Sequence, residues 1–92
     1  MRDEDFRQEL VTRHRTIRSR IAAGFEAHKD TIGGEPPIPA EDVAMMTYAM
    51  ADGFALAQIL EPEDVSDDLF ATMLAVFFTG LAVMTREAVA QA

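Results

Sequence analysis

Apolar residues recur along the chain at helical spacing in three segments, which two proline-containing breaks separate. Steps of three and four residues place side chains on one face of an α-helix. The first segment carries one such stripe, formed by Phe6, Leu10, His14, Ile17, Ile21 and Phe25. The pattern predicts helices over about residues 3–29, 39–60 and 67–90, and therefore one all-α domain over residues 1–92.

Both breaks contain residues that end helices. Gly33 and Gly34 can adopt the left-handed conformation that terminates a helix, and the prolines that follow prevent its continuation. We expect residues 31–39 to form an ordered surface loop. In the second break Pro62 stops the second helix, and Ser66 is suited to cap the N-terminus of the third.

The second and third helices each carry two apolar faces, so we expect them to be buried on more than one side. On the third helix a bulky stripe consists of Phe70, Met73, Phe77, Leu81, Met84 and Ala88. A slimmer, heptad-like stripe lies beside it and consists of Leu69, Thr72, Val76, Thr79 and Val83. A monomer of three helices can cover only one of these two stripes. We assign the bulky stripe to the intrachain core and the slimmer one to a partner, and the reverse assignment stays open.

We then predict that a second copy of the chain covers the slimmer stripe together with a spare apolar face of the second helix. That spare face consists of Met45, Ala49, Leu56 and Ile59. This predicted dimer interface consists of Met45, Ala49, Leu56, Ile59, Leu69, Thr72, Val76, Thr79, Gly80 and Val83. Gly80 and the threonines are small enough for two helices to approach closely.

Charge is spread unevenly over the chain. The net charge is −8, and most of the excess acid lies in residues 30–92, which contain eleven Asp and Glu residues and only one base, Arg86. Such an acidic body repels phosphate backbones, so we expect no direct DNA contact by these residues. The arginines at positions 13, 15, 18 and 20 form either a basic patch or a solvated face with local ion pairs. Their spacing scatters them around a helix, which favours the solvated face.

Candidate chemistry is sparse. Cysteine is absent, and the two histidines lie far apart in sequence, so we expect no metal site. No catalytic constellation of side chains appears either, so we expect no enzyme activity, and no cofactor is predicted. Asp52 is either a carboxylate of a pocket or interface, or an edge residue that reaches water, and we favour the edge residue.

Residues 69–85 form a stretch without charged side chains, and its length is at the lower limit for a membrane span. They have no flanking Lys or Arg cluster, so we expect a buried helix.

Residues 49–81 resemble the C-terminal end of TetR-type transcriptional regulators. The resemblance rests on Asp52-Gly53-Phe54, on Glu61-Pro62 with Val65, on Asp68-Leu69-Phe70 and on Gly80-Leu81. It implies a three-helix C-terminal fragment of a TetR-like domain that pairs into an intermolecular four-helix bundle. It also implies a cytoplasmic repressor that reaches DNA through an N-terminal head, which nothing in residues 1–92 matches.

The function expected from this resemblance is dimerisation and effector sensing. A narrow, uncovered stripe on the first helix predicts an apolar or amphipathic effector there. The candidate effector residues are Phe6, Leu10, His14 and Ile17, with Met46 and Met50 opposite. His14 is alternatively a half-buried core residue, and the methionines are alternatively core filling.

Two other functions remain open from the sequence. The chain is alternatively a headless helical module that heterodimerises with full-length regulators and modulates them. A small enzyme or carrier with an apolar pocket is the third hypothesis, and the missing polar constellation counts against it.

Overall fold

The computed structural model describes residues 2–91, and within them the chain is all-α, as the sequence predicts. The helices are α1, Asp3–Ala27, α2, Ala40–Leu60, and α3, Leu69–Gln91. Short 3₁₀ turns at Lys29–Ile32 and Pro62–Asp64 occupy the two breaks. Three acids in the first turn of α1 complement the positive end of its dipole.

The first break carries a tight reversal of the chain. Gly33 has a φ of +101° and Gly34 a φ of +125°, so both occupy the region that the sequence predicts for them. The N–H of Gly33 donates to the carbonyl of Asp30 at 3.1 Å. α1 ends at Ala27, two residues before the predicted end, because the chain tightens there into the first 3₁₀ turn.

Part of this break is core rather than surface, and the prediction of a surface loop is wrong for Ile32 and Pro36. Both are buried. Ile32 forms the centre of the core with Val43 of α2 and Leu81 of α3, and Phe25, Ile38, Phe77, Phe78 and Ala82 pack against it. The 3₁₀ turn places the Ile32 side chain where all three helices meet.

The second break also differs from expectation in one detail. α3 begins at Leu69, so Asp68 precedes the helix and its carbonyl accepts the N–H of Thr72 at 3.0 Å. The Ser66 hydroxyl donates instead to the Asp68 carboxylate at 3.0 Å. The prediction that Ser66 caps α3 is therefore wrong.

Little of the helical surface is buried within one chain. α1 packs along α2, and α3 contacts the Lys29–Ile32 turn. α1 has no fully buried residue, α2 has only Val43 and Ala44, and α3 has only Leu81 and Thr85. The prediction that α2 is buried on more than one side is not met by the single chain.

The shape of the chain explains this. Its extents are 52 × 34 × 18 Å, and its radius of gyration is 16.0 Å. A compact domain of this length has a radius of gyration of about 12 Å. The accessible surface is 6791 Å². A compact monomer of this mass exposes about 5,300 Å², so the chain carries an excess of roughly 1,500 Å².

Two of the helices are apolar enough to raise the question of what covers them. α2 and α3 both have the length and composition of a membrane-crossing helix. Core helices of soluble proteins meet the same criterion. The composition of α2 and α3 therefore indicates an apolar environment without specifying whether protein or lipid provides it.

Candidate functional site

The largest functional candidate is an apolar surface that runs over α2 and α3. All ten residues of the predicted dimer interface are exposed in the single chain, and we call this set the open face. Ile59 is 77% exposed, Val76 69% and Leu56 56%. Apolar side chains exposed to this extent on two helices of one chain are typical of a surface that another molecule covers.

The two stripes of α3 face different surroundings. In the bulky stripe, Leu81 is buried and Phe77 packs on the core. The ring of Phe70 packs edge to face against the ring of Phe54 on α2, with centroids 5.3 Å apart. Every member of the slimmer stripe is exposed. One member of the bulky stripe departs from the prediction, because Met84 is 43% exposed.

Sequence reasoning left three exposed apolar residues out of the interface. Leu60 is 68% exposed, Val89 57% and Met84 43%. Leu60 lies four residues after Leu56 on α2, and this helical spacing already placed it on the same face as Leu56 and Ile59 in the sequence. Val89 and Met84 lie near the C-terminal end of α3, beyond the turn that Leu81 anchors.

The predicted effector residues divide into two groups along α1 and α2. Phe6 is 55% exposed and Leu10 37%, so the N-terminal part of this wall is open to solvent. His14, Ile17, Met46 and Met50 are half-buried. The His14 ring packs against that of Tyr48 on α2, with centroids 4.8 Å apart and planes tilted by 60°. The structure therefore places His14 in the α1–α2 contact.

A polar concavity of about 280 Å³ lies between α1 and the start of α2, and Arg15, Arg18, Ser19 and Glu41 line it. Arg18 is half-buried, its Nη1 approaches Met45 Sδ at 3.6 Å, and its Nε is buried with no hydrogen-bond partner within residues 2–91. None of the arginines at positions 13, 15, 18 and 20 forms an ion pair within that range, so the predicted local pairing is wrong for them.

A second, more apolar cavity of about 230 Å³ lies at the junction of all three helices. Its lining consists of Ile21, Phe25, His28, Thr31, Ile32, Val43, Thr47 and Phe78. Sequence reasoning missed this site, because its walls come from four separate elements. The only early signal was that Ile21 and Phe25 continue the α1 stripe beyond Ile17.

Glu4, Arg7 and Lys29 have shifted pKa values, and none of the three belongs to the open face or lines either cavity. Lys29 bonds to Glu35 in the first break and to Glu26 on α1, at 3.3 Å, and these carboxylates raise the pKa of the lysine. The hydrogen bond from Arg7, at 2.8 Å, lowers the pKa of Glu4. Asp52 is exposed, so its carboxylate reaches water in the single chain. Within residues 2–91 no cluster of three or more His, Asp or Glu is placed to hold a metal.

Comparison with protein families identifies the class. Residues 1–83 match the family described as BetI-type transcriptional repressor, C-terminal, and the chain belongs to this family of transcriptional regulator domains. Regulators of the wider TetR family are generally dimers. No curated protein and no solved structure matches the chain.

Proposed function

We propose that this chain is the dimerisation and small-molecule effector-sensing domain of a bacterial TetR-type transcriptional repressor that acts in the cytoplasm. The observation that carries the proposal is the open face, where ten residues predicted to meet a second copy are all exposed. The proposed role is regulatory and not catalytic.

Surface area supports a second copy as the occupant of the open face. A standard protein–protein interface buries about 800 Å² on each partner. The excess of roughly 1,500 Å² over a compact monomer is enough for such an interface, with some area left over. A two-fold contact uses the same patch on both copies, so α2 and α3 of each chain would form a four-helix bundle.

The details of the open face suit close helix packing better than lipid. Thr72, Thr79 and Gly80 are small, which lets two copies of α3 approach closely. Asp52 lies in the middle of α2 and is exposed. An acid at the centre of a bilayer costs about 2.5–3.5 kcal/mol even on the mildest scale, whereas an edge carboxylate beside a protein interface stays in water.

DNA contact in this proposal belongs to a helix-turn-helix head outside residues 1–92. The excess of acids over bases in residues 30–92 opposes binding to a phosphate backbone. The chain alone is expected to give no specific electrophoretic shift of a promoter fragment at physiological salt. A shift that survives such salt would contradict this part of the proposal.

The effector-sensing part of the proposal places an apolar or amphipathic ligand along α1. Phe6, Leu10, His14 and Ile17 would form one wall, with Met46 and Met50 opposite. Four of these residues are half-buried, which supports contact between α1 and α2 along this wall: His14, Ile17, Met46 and Met50. Phe6 and Leu10 are exposed, which leaves one end of the wall open to a ligand.

Two measurements test the proposal separately. Sedimentation velocity of the chain from low to high micromolar concentration is expected to show a dimer, and a monomer throughout would remove the dimer. A thermal-shift screen of apolar compounds is expected to find dose-dependent stabilisation that His14→Ala or Met50→Ala weakens. A dimer that no compound stabilises would leave assembly standing and remove the sensor.

A further inference from the structure

The apolar cavity at the helix junction has a clear division between floor and rim. Ile32 and Val43 are buried and form its floor, while His28 and Thr31 line it and are also exposed, so they lie at its opening. Phe25 and Phe78 provide aromatic walls. The cavity is half open to solvent, so a ligand that enters past His28 would meet mainly apolar surface on its inner side.

The size of the cavity limits what it can hold. An apolar cavity of about 150 Å³ accommodates a benzene molecule in an engineered protein. The volume here is about 230 Å³. In proportion, that volume suits an apolar molecule of roughly nine non-hydrogen atoms, such as a single ring with a short substituent.

The polar groups around the cavity have already used their donors. The Thr47 hydroxyl donates to the carbonyl of Val43 at 2.8 Å, and that of Thr31 donates to the carbonyl of His28 at 2.7 Å. His28 Nδ1 lies 2.9 Å from the carbonyl oxygen of Gly24, which only accepts, so Nδ1 carries the proton. Nε2 of the neutral ring is then an acceptor.

Each of these three side chains offers an acceptor, Nε2 of His28 in its singly protonated form, and neither threonine hydroxyl retains a free donor. A ligand that brings a hydrogen-bond donor gains a partner here, whereas a ligand that brings only acceptors loses its hydration without replacement. The cavity therefore discriminates by the direction of the hydrogen bond as well as by size.

We propose that the junction cavity binds a small, mainly apolar molecule, of the size of a substituted ring, that carries a hydrogen-bond donor such as a hydroxyl group. The donor bonds to Thr47 Oγ1 or His28 Nε2, and the ring lies between Phe25 and Phe78. This inference rests on the effector-sensing part of the proposed function. It keeps the sensing role and moves the ligand from the α1 wall near Phe6 and Leu10 to the junction cavity at the opposite end of α1.

A matched pair of probes tests the donor requirement. Para-ethylphenol and para-ethyltoluene have the same shape and differ by a hydroxyl in place of a methyl group. Titration of the isotope-labelled chain, followed by NMR, is expected to show the phenol binding roughly threefold to tenfold more tightly, the factor that one hydrogen bond contributes. Shifts are expected at Thr47, Phe25 and Phe78.

Variants locate the acceptor. Thr47→Val keeps the shape of the side chain and removes the hydroxyl, and His28→Phe keeps a ring and removes the nitrogens. At least one of them is expected to lower affinity for the phenol roughly threefold to tenfold and to leave affinity for the toluene unchanged. Thr16→Val is the matched control. The Thr16 hydroxyl donates to the carbonyl of Thr12 at 2.9 Å, in the same way that Thr47 donates to Val43, and Thr16 does not line the cavity.

The outcomes separate this inference from the proposed function. Equal affinity for the two probes, or an undiminished preference in both variants, overturns the donor requirement. Shifts confined to Leu10, His14 and Met50 overturn the junction site and leave an effector sensor with its ligand elsewhere. Binding of apolar compounds at neither place overturns the junction site and the sensing role together.

Discussion

The helix junction and the open face are built from the same kinds of apolar side chain, yet only the junction is covered within one chain. At the junction Val43 is 1% exposed and Leu81 3%, whereas Val76 and Ile59 on the open face are 69% and 77% exposed. Three helices in a body only 18 Å thick can meet at one place and leave their outer faces to solvent. The contrast shows that hydrophobicity alone does not identify the core of a single chain.

The largest effect that tests this contrast is expected from Val76→Glu. In a monomer this exposed position tolerates a charge, but in a symmetric dimer the change buries two carboxylates in the seam, where burial of unpaired charge is strongly unfavourable. Sedimentation velocity is expected to show conversion of dimer to monomer. The control is Thr12→Glu, an exposed site on α1. A Val76→Glu chain that stays dimeric and equally stable would place the seam elsewhere.

A smaller effect separates the two regions by truncation. Leu81→Ala at the junction is expected to lower the free energy of unfolding by about 2–5 kcal/mol, because it leaves a cavity among packed side chains. Ile59→Ala is expected to cost less than about 2 kcal/mol, and only where the chain is dimeric.

Urea unfolding at several protein concentrations measures both truncations. Leu81→Ala should show the same loss relative to wild type at each concentration. An Ile59→Ala loss that does not change with concentration would argue that Ile59 packs within its own chain.

A pair of glycines gives a finer test of close approach. Gly24 and Gly80 both lie within helices, and a Cβ added at either would meet nothing within 4 Å in the single chain. Alanine at Gly24 is therefore expected to stabilise α1 by about 0.8–1 kcal/mol. Gly80→Ala is expected to be destabilising, since the proposed dimer brings another helix against that position. If both alanine variants gain stability equally, Gly80 is not at a close helix–helix contact.

The smallest effect concerns the ion pairs that tie the first break to α1. The pKa of Lys29 is raised by Glu35 and Glu26, so the lysine stabilises the fold while it is charged. This contribution is present below its ordinary pKa of 10.5 and is lost as pH rises through the raised pKa. Lys29→Met should be slightly less stable than wild type at neutral pH, and the difference should shrink above pH 10.5.

Unfolding curves at neutral and strongly alkaline pH measure this difference, with Lys29→Arg as the control that stays charged. A difference between Lys29→Met and wild type that is the same at both pH values would show that packing of the lysine stem, and not its charge, is responsible.

The sequence by itself determined the elements of the fold and favoured one sorting of the α3 side chains. Helical periodicity and the helix-ending glycines and prolines are local properties, so they identify three helices without knowledge of their arrangement. The difference in bulk between the two α3 stripes favoured an inward Leu81 and Phe77 and an outward Val76 but left the reverse open, and the structure decided for the first assignment. These conclusions hold because side-chain direction follows from helix geometry.

Only the tertiary structure decided where the helices meet. Ile32 lies in a loop by sequence pattern, yet it is a core residue because a 3₁₀ turn brings it against Val43 and Leu81. Met84 has the right helical phase for the core and is nevertheless 43% exposed, whereas the neighbouring Thr85 is completely buried. The junction cavity depends on the same non-local packing. Burial and cavities are properties of where separate elements cross, and no local pattern along one helix contains that information.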